Sequence, residues 1–189
     1  QVGADTSKQL GYMTDGWKAN RQYVAADGAP IRGYDAVLAH RVALSRAEVK
    51  GGLKFEKKAY IVIGLPAAGK SGLSQRIRDM EGAMIVDGDD FKPMIPEYGG
   101  GWNSSGVHEE ASALSKVMLA AVTKTGANLI LPKLGSSDAS ISRPASELRA
   151  AGYKVHLIYV DVPKAVAMER AIKRWRSSGR SVPVGIYDD

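Results

Sequence analysis

Eight consecutive residues, Gly64-Leu65-Pro66-Ala67-Ala68-Gly69-Lys70-Ser71, fit the pattern G-x-x-x-x-G-K-[ST] at every fixed position. Its glycines let the main chain wrap closely enough for N–H groups to face phosphate oxygens. A helix starting near Lys70 would add unpaired amides and the positive end of its dipole to the same anion. Lys70 is then placed to reach the terminal phosphates of ATP, and the Ser71 hydroxyl to join the shell of Mg²⁺. An ordinary glycine turn before a helix is the competing reading. The β-branched run before the motif and the helical run after it argue for phosphate binding.

A second group of chemistry-bearing residues is Asp87-Gly88-Asp89-Asp90-Phe91-Lys92-Pro93. Carboxylates just beyond the carboxyl end of a strand face the phosphate site in this kind of architecture. One of them, Asp87, is the candidate for holding Mg²⁺, and another can accept the proton of an attacking hydroxyl. Further on, Lys164, Arg170, Lys173, Arg174, Arg176 and Arg180 crowd one helix and the turn after it. Most of these form a solvated basic face, but a segment of this kind can also close over a transferring phosphoryl group. Arg174 and Arg180 are the candidates for that task. Glu109 and Glu110 open a helix after the 99–102 loop, where acidic residues compensate the dipole and are structural. With His40, His108 and His156 as the only histidines, and none paired at ligand spacing, a dedicated transition-metal site is not expected.

The elements that must position these groups are legible as alternating strands and helices. Ala59–Ile63, Ala83–Val86, Asn128–Leu131 and Val155–Val160 are short apolar runs of strand type. Between and after them lie helical stretches at about 70–80, 108–125, 144–151 and 164–176, several ended by glycine. Such alternation implies an α/β fold of P-loop kinase type, a parallel sheet covered by helices on both faces, with ligands at the carboxyl ends of its strands. Residues 1–55 have a different character, with scattered tyrosines and one loose helical stretch over 35–49. They are expected to form a mostly helical extension ahead of a kinase domain at 56–189.

The 189 residues suit one domain with an appendage. A hydrophobic share of 44% with 24% charged residues excludes a disordered chain. The absence of cysteine removes disulfides, thiolate metal sites and cysteine nucleophiles, and accommodates the cytoplasm as the expected site of action, whether reached directly or by secretion into a host cytosol. No apolar run approaches the roughly 20 residues that cross a bilayer. The net charge of +6 favours anionic partners. The chain begins Gln1-Val2-Gly3-Ala4-Asp5, without an initiator methionine or a secretory apolar run, and reads as part of a longer protein. A fifth strand is expected beyond Asp189.

Together the phosphate loop, Val86-Asp87-Gly88-Asp89-Asp90-Phe91-Lys92 with Pro96, Asn128-Leu129-Ile130-Leu131, Val162-Pro163-Lys164 and Arg174 with Arg180 resemble the zeta toxin family over roughly residues 57–183. That family consists of P-loop kinases, usually neutralised by an antitoxin, that phosphorylate the 3′-hydroxyl of UDP-N-acetylglucosamine with ATP. The resemblance implies Asp89 as catalytic base, Lys70 on the phosphates, Ser71 on the metal, and Arg174 and Arg180 as lid arginines. It also implies a protein partner, antitoxin or chaperone. The chain departs from the family where the sugar nucleotide is held. Pro132 stands in place of a carboxylate, Leu134 in place of a threonine, and Lys116 in place of an acidic helix residue. Proline offers neither a side-chain acceptor nor a backbone donor, and a site that loses such partners loses selectivity for the hydroxyls they bound. The acceptor is therefore either that sugar nucleotide or another nucleotide metabolite, such as a dinucleotide cofactor. Two rival readings are a kinase acting on nucleic-acid ends, with Phe91, Tyr98 and Trp102 as stacking candidates, and a nucleotide-gated binding module without chemistry.

Overall fold

The computed structural model describes residues 33–178, which divide into two compact units. The larger comprises Ala36–Asp87 and Lys116–Val162; the described part of the other comprises 33–35, Gly88–Ser115 and 163–178. Arg180 and residues 1–32 lie outside the described residues.

The larger unit is built on β1 (Lys58–Ile63), β2 (Met84–Ile85), β3 (Leu129–Lys133) and β4 (Lys154–Tyr159), all parallel in the order β2-β3-β1-β4. The most apolar run therefore occupies an interior position, with Ala59 through Ile63 all buried. Alternation puts Tyr60 and Val62 on one face and Ala59, Ile61 and Ile63 on the other. Since both sets are buried, β1 is covered on both sides, as its continuous β-branched run requires. Tyr60, Val62 and Ile130 pack with Ile77 and Leu73, which places helix α2 (Lys70–Glu81) on their face. Met118 and Val122 are buried in helix α3 (His108–Thr125), whose second half, from Lys116, belongs to this unit.

Helix α1 (Asp35–Ala47) is tied to α2 through Arg78, which contacts Glu48 at 3.8 Å, while Glu48 also accepts from Arg41. Helix α4 (Asp138–Ala150) packs against β4 and β1 and starts six residues before the expected position. The Ser137 side chain accepts the Ser140 N–H and caps its start, so Pro144 is an interior residue and not the first of the helix. Strand β2 is shorter than its apolar run, although the Val86 N–H still donates to Ile130 at 2.9 Å. Among the described residues no helix is long and apolar enough to cross a membrane.

Asn128 fastens the amino edge of the sheet. It is 0% exposed; its side-chain oxygen accepts the N–H groups of Glu56 (3.0 Å) and Lys58 (3.1 Å), and its amide donates to Glu56 Oε2 (2.9 Å) and the Glu81 carbonyl (3.0 Å). All four bonding directions of the side chain are used, joining the approaches to β1, β2 and β3. Asn128→Ala would leave these partners unmatched, and a stability loss of about 2–4 kcal/mol is expected in urea unfolding. A loss under about 0.5 kcal/mol, the size typical of an inert surface position, would contradict this assignment.

Candidate functional site

The 64–71 turn joins the carboxyl end of β1 to the first turn of α2. Parallel pairing continues one residue past β1, since the Gly64 N–H donates to the Lys133 carbonyl at 3.2 Å. A Cβ at Gly64 would lie 2.7 Å from the Val160 carbonyl oxygen, so only glycine lets the chain pass that neighbour. The turn then enters left-handed backbone at Ala67 (φ 60°) and Gly69 (φ 108°). A non-glycine residue held there costs about 1–2 kcal/mol, which marks Ala67 as a place where local strain is retained. Gly69 caps α2 without a side-chain hydrogen bond, and the first turn holds no acidic residue. The helix therefore presents amides and dipole with no built-in carboxylate to occupy them.

Lys70 bends back over this turn, donating to the carbonyls of Gly64 and Leu65, the latter at 2.7 Å. Neutral carbonyls are weaker acceptors than phosphate oxygens, so an arriving phosphate competes well for that ammonium. Ser71 is exposed at the second helical position. Asp87 follows β2 at the same carboxyl edge of the sheet. In strand order the chain runs one way from β1, through α2 to β2, and the other way from β3, through α4 to β4. The phosphate turn thus leaves the strand at which the direction of winding changes, the usual place for a ligand in an open α/β sheet. Gly64, Leu65, Pro66, Ala67, Ala68, Gly69, Lys70, Ser71 and Asp87 all belong to this unit, and a glycine-rich turn opening a helix without an acidic first turn suits an anionic ligand. For Mg²⁺, Ser71 and Asp87 supply hard oxygens in the small number that this ion takes alongside phosphate and water.

Lys133 sits at the same edge. Burial, and next the charge of Lys116, make its ammonium easier to deprotonate than an ordinary lysine, while Asp87 acts in the opposite direction.

Asp89 lies in the smaller unit, on a single 3₁₀ turn at Gly88–Asp90. Its carboxylate pairs with Lys92 Nζ at 2.9 Å; that ammonium also donates to Ser104 Oγ at 3.2 Å and is itself buried, at 8% exposure. Lys92 thus holds the side chain of Asp89 from below, a role that the sequence reading missed. The available signal was the three-residue spacing Asp-x-x-Lys, which brings the two side chains together on consecutive 3₁₀ turns. Phe91, named above as a candidate for stacking on bases, is 0% exposed and belongs to the core with Ile95 and Val107. It is therefore not a stacking surface. Glu110 is 2% exposed and accepts from the Tyr34 hydroxyl, in keeping with the structural part expected for it.

Helix α5 (Lys164–Ser178) buries Ala167 and Ala171, and Arg174 continues that stripe one turn later, half-buried. Lys164, Arg170, Lys173 and Arg176 are exposed. Among the described basic residues of α5, Arg174 alone lies on the inward stripe, which separates it from the solvated charges.

Comparison with known proteins agrees with this picture. The AvrRxo1-ORF1:-ORF2 complex with ATP superposes with a TM-score of 0.65 at 17% identity, over 82% of this chain and 52% of that one. The toxin–antitoxin system PezAT of Streptococcus pneumoniae gives a TM-score of 0.62 at 20% identity, over 76% of this chain and 63% of that one. A chain of the Pnkp1/Rnl/Hen1 RNA repair complex gives 0.55 at 22% identity, over 74% of this chain and 44% of that one. These likenesses establish the fold, and the chain spans less than two thirds of each of the three. Its sequence matches no curated protein. The zeta toxin family model matches residues 47–189, covering the phosphate turn, Asp89 and helix α5, and the chain therefore belongs to the zeta toxin family.

Proposed function

We propose that the protein is an ATP-dependent kinase that transfers the γ-phosphoryl group to a hydroxyl of a nucleotide-like small molecule, either UDP-N-acetylglucosamine or a related metabolite. The observation that carries this reading is the 64–71 turn, with strained backbone at Ala67 and Lys70 folded onto the loop carbonyls. Family membership supports it as well.

In this reading the amides of 64–71 and the Lys70 ammonium bind the phosphates and offset their charge. Ser71 and Asp87 would hold Mg²⁺, which supplies further neutralisation of the β- and γ-phosphate oxygens. Asp89, fixed by Lys92, takes the acceptor's hydroxyl proton as its oxygen bonds to the γ-phosphorus and the bond to the ADP oxygen breaks. Arg174 and Arg180 offset charge on the phosphoryl group in transit. Such a protein would act as a toxin in the cytoplasm, restrained by an antitoxin or chaperone, with residues 1–55 as a helical extension of the kinase domain at 56–189. Action on nucleic-acid ends is less well supported, because Phe91 is withdrawn into the core.

Radiolabelled ATP supplied with a metabolite extract tests the assignment. Asp89→Asn should leave ATP affinity within about threefold of wild type and slow transfer by roughly 10²–10⁴, the usual worth of a positioned base. Lys70→Ala should weaken ATP binding about tenfold or more and reduce transfer as well. Undiminished transfer by the Asp89 variant would remove it as the base. Lys92→Met should lower kcat while leaving the KM for ATP near wild type, because it releases Asp89 and not the phosphates. Equal kcat in that variant would show that the Lys92–Asp89 pair is not used in catalysis.

A further inference from the structure

Lys133 has no task in the mechanism above, yet it occupies one of the most constrained positions at the carboxyl edge. It ends β3, the strand between β2 and β1, and its carbonyl carries the first hydrogen bond of the phosphate turn. Its side chain belongs to a particular face of the sheet. Lys133 is in register with Ile63, just as Leu131 is with Ile61, so these four share one face. Tyr60, Val62 and Ile130, against which α2 packs, share the other. The amides of α2 and the Lys70 ammonium therefore serve an anion at the α2 side, whereas Lys133 rises from the opposite side of the same edge.

Lys116, on α3, reinforces this second positive site. The Lys133 ammonium feels its charge as repulsion and Asp87 as attraction, so all three groups lie in one neighbourhood. Two ammonium groups against one carboxylate leave an excess positive charge. That carboxylate is moreover the candidate for holding Mg²⁺. Among the described residues, Lys133 makes no side-chain hydrogen bond or ion pair. A half-buried cation with no hydrogen-bonded partner is unfavourable, and an anion placed there by a ligand would relieve it.

We propose that Lys133, supported by Lys116, is a specificity-determining residue that receives an anionic phosphate group of the acceptor, on the sheet face opposite α2. The inference rests on the kinase reading and adds to it which side chain receives a phosphate of the acceptor and so takes part in selecting it. Neutral sugars and alcohols are then poor acceptors, however well their hydroxyl matches the base.

The test uses the whole protein, labelled ATP and a cell extract split in two, one half digested with phosphatase and phosphodiesterase and then freed of both enzymes by filtration. The wild type should label a product from the untreated half and little or none from the digested half. Lys133→Met should require about ten- to a hundredfold more extract for half-maximal labelling, with the KM for ATP and the melting temperature unchanged. Lys133→Arg should restore most of the loss, and Lys116→Met, at an exposed position, should shift the requirement in the same direction by less. Equal labelling of the digested half would overturn the proposal. So would an unchanged extract requirement in Lys133→Met, or a change confined to the KM for ATP. If the wild type labels nothing from either half, the kinase reading itself fails and this inference with it.

Discussion

The close passage of Gly64 beneath Val160 sets the geometry on which the site depends. Because no Cβ fits there, β1 can hand its chain directly into a turn whose first N–H still belongs to the sheet. From that anchored start the backbone passes through two left-handed residues and enters α2 without a side-chain cap. In the proposed function the phosphate grip is made of main chain, with Lys70 and Ser71 as the side chains that join it. Main-chain donors fixed by a buried strand need little reorganisation when an anion arrives, which gives them their value in a phosphoryl-transfer site.

Charge matching differs between the two units. Buried ionic groups in the smaller unit are matched internally: Lys92 by Asp89 and Ser104, Glu110 by Tyr34. Breaking such a pair leaves an uncompensated buried charge, so these contacts hold their loops in one conformation. At the carboxyl edge of the larger unit the matching is incomplete: the turn carries no acidic cap and Lys133 has no hydrogen-bonded partner. Positive groups left unmatched at that edge are consistent with the anionic ligand of the proposed function.

Much of this arrangement was legible in the sequence, for identifiable reasons. β1 declared itself because a strand buried on both faces must be apolar without alternation, and the phosphate turn because its glycines are required by backbone geometry. α4 was misplaced at its start because Pro144 resembles a first helical residue, whereas Ser137 supplies the cap seven residues earlier. Phe91 was read as an exposed ring near the site because an aromatic beside three aspartates gives no sign of which way it turns; only its complete burial shows it. Lys92 and Lys133 were hidden for the same reason. A lysine reads as surface by its type alone, even between Phe91 and Pro93 or between Pro132 and Leu134, and its burial is a tertiary property. Arg180 falls outside the described residues, so its lid role remains an expectation drawn from the family pattern.

The claim at the centre of this account is that main-chain amides of 64–71 bind the phosphates of ATP. Amide hydrogen exchange read by mass spectrometry, with and without ATP and Mg²⁺, tests it most directly. The account predicts that peptides covering 64–72 gain protection on addition of the nucleotide, and that adenosine, which lacks the phosphates, produces no such gain. Nucleotide binding with unchanged exchange across 64–72, or equal protection by adenosine, would contradict it.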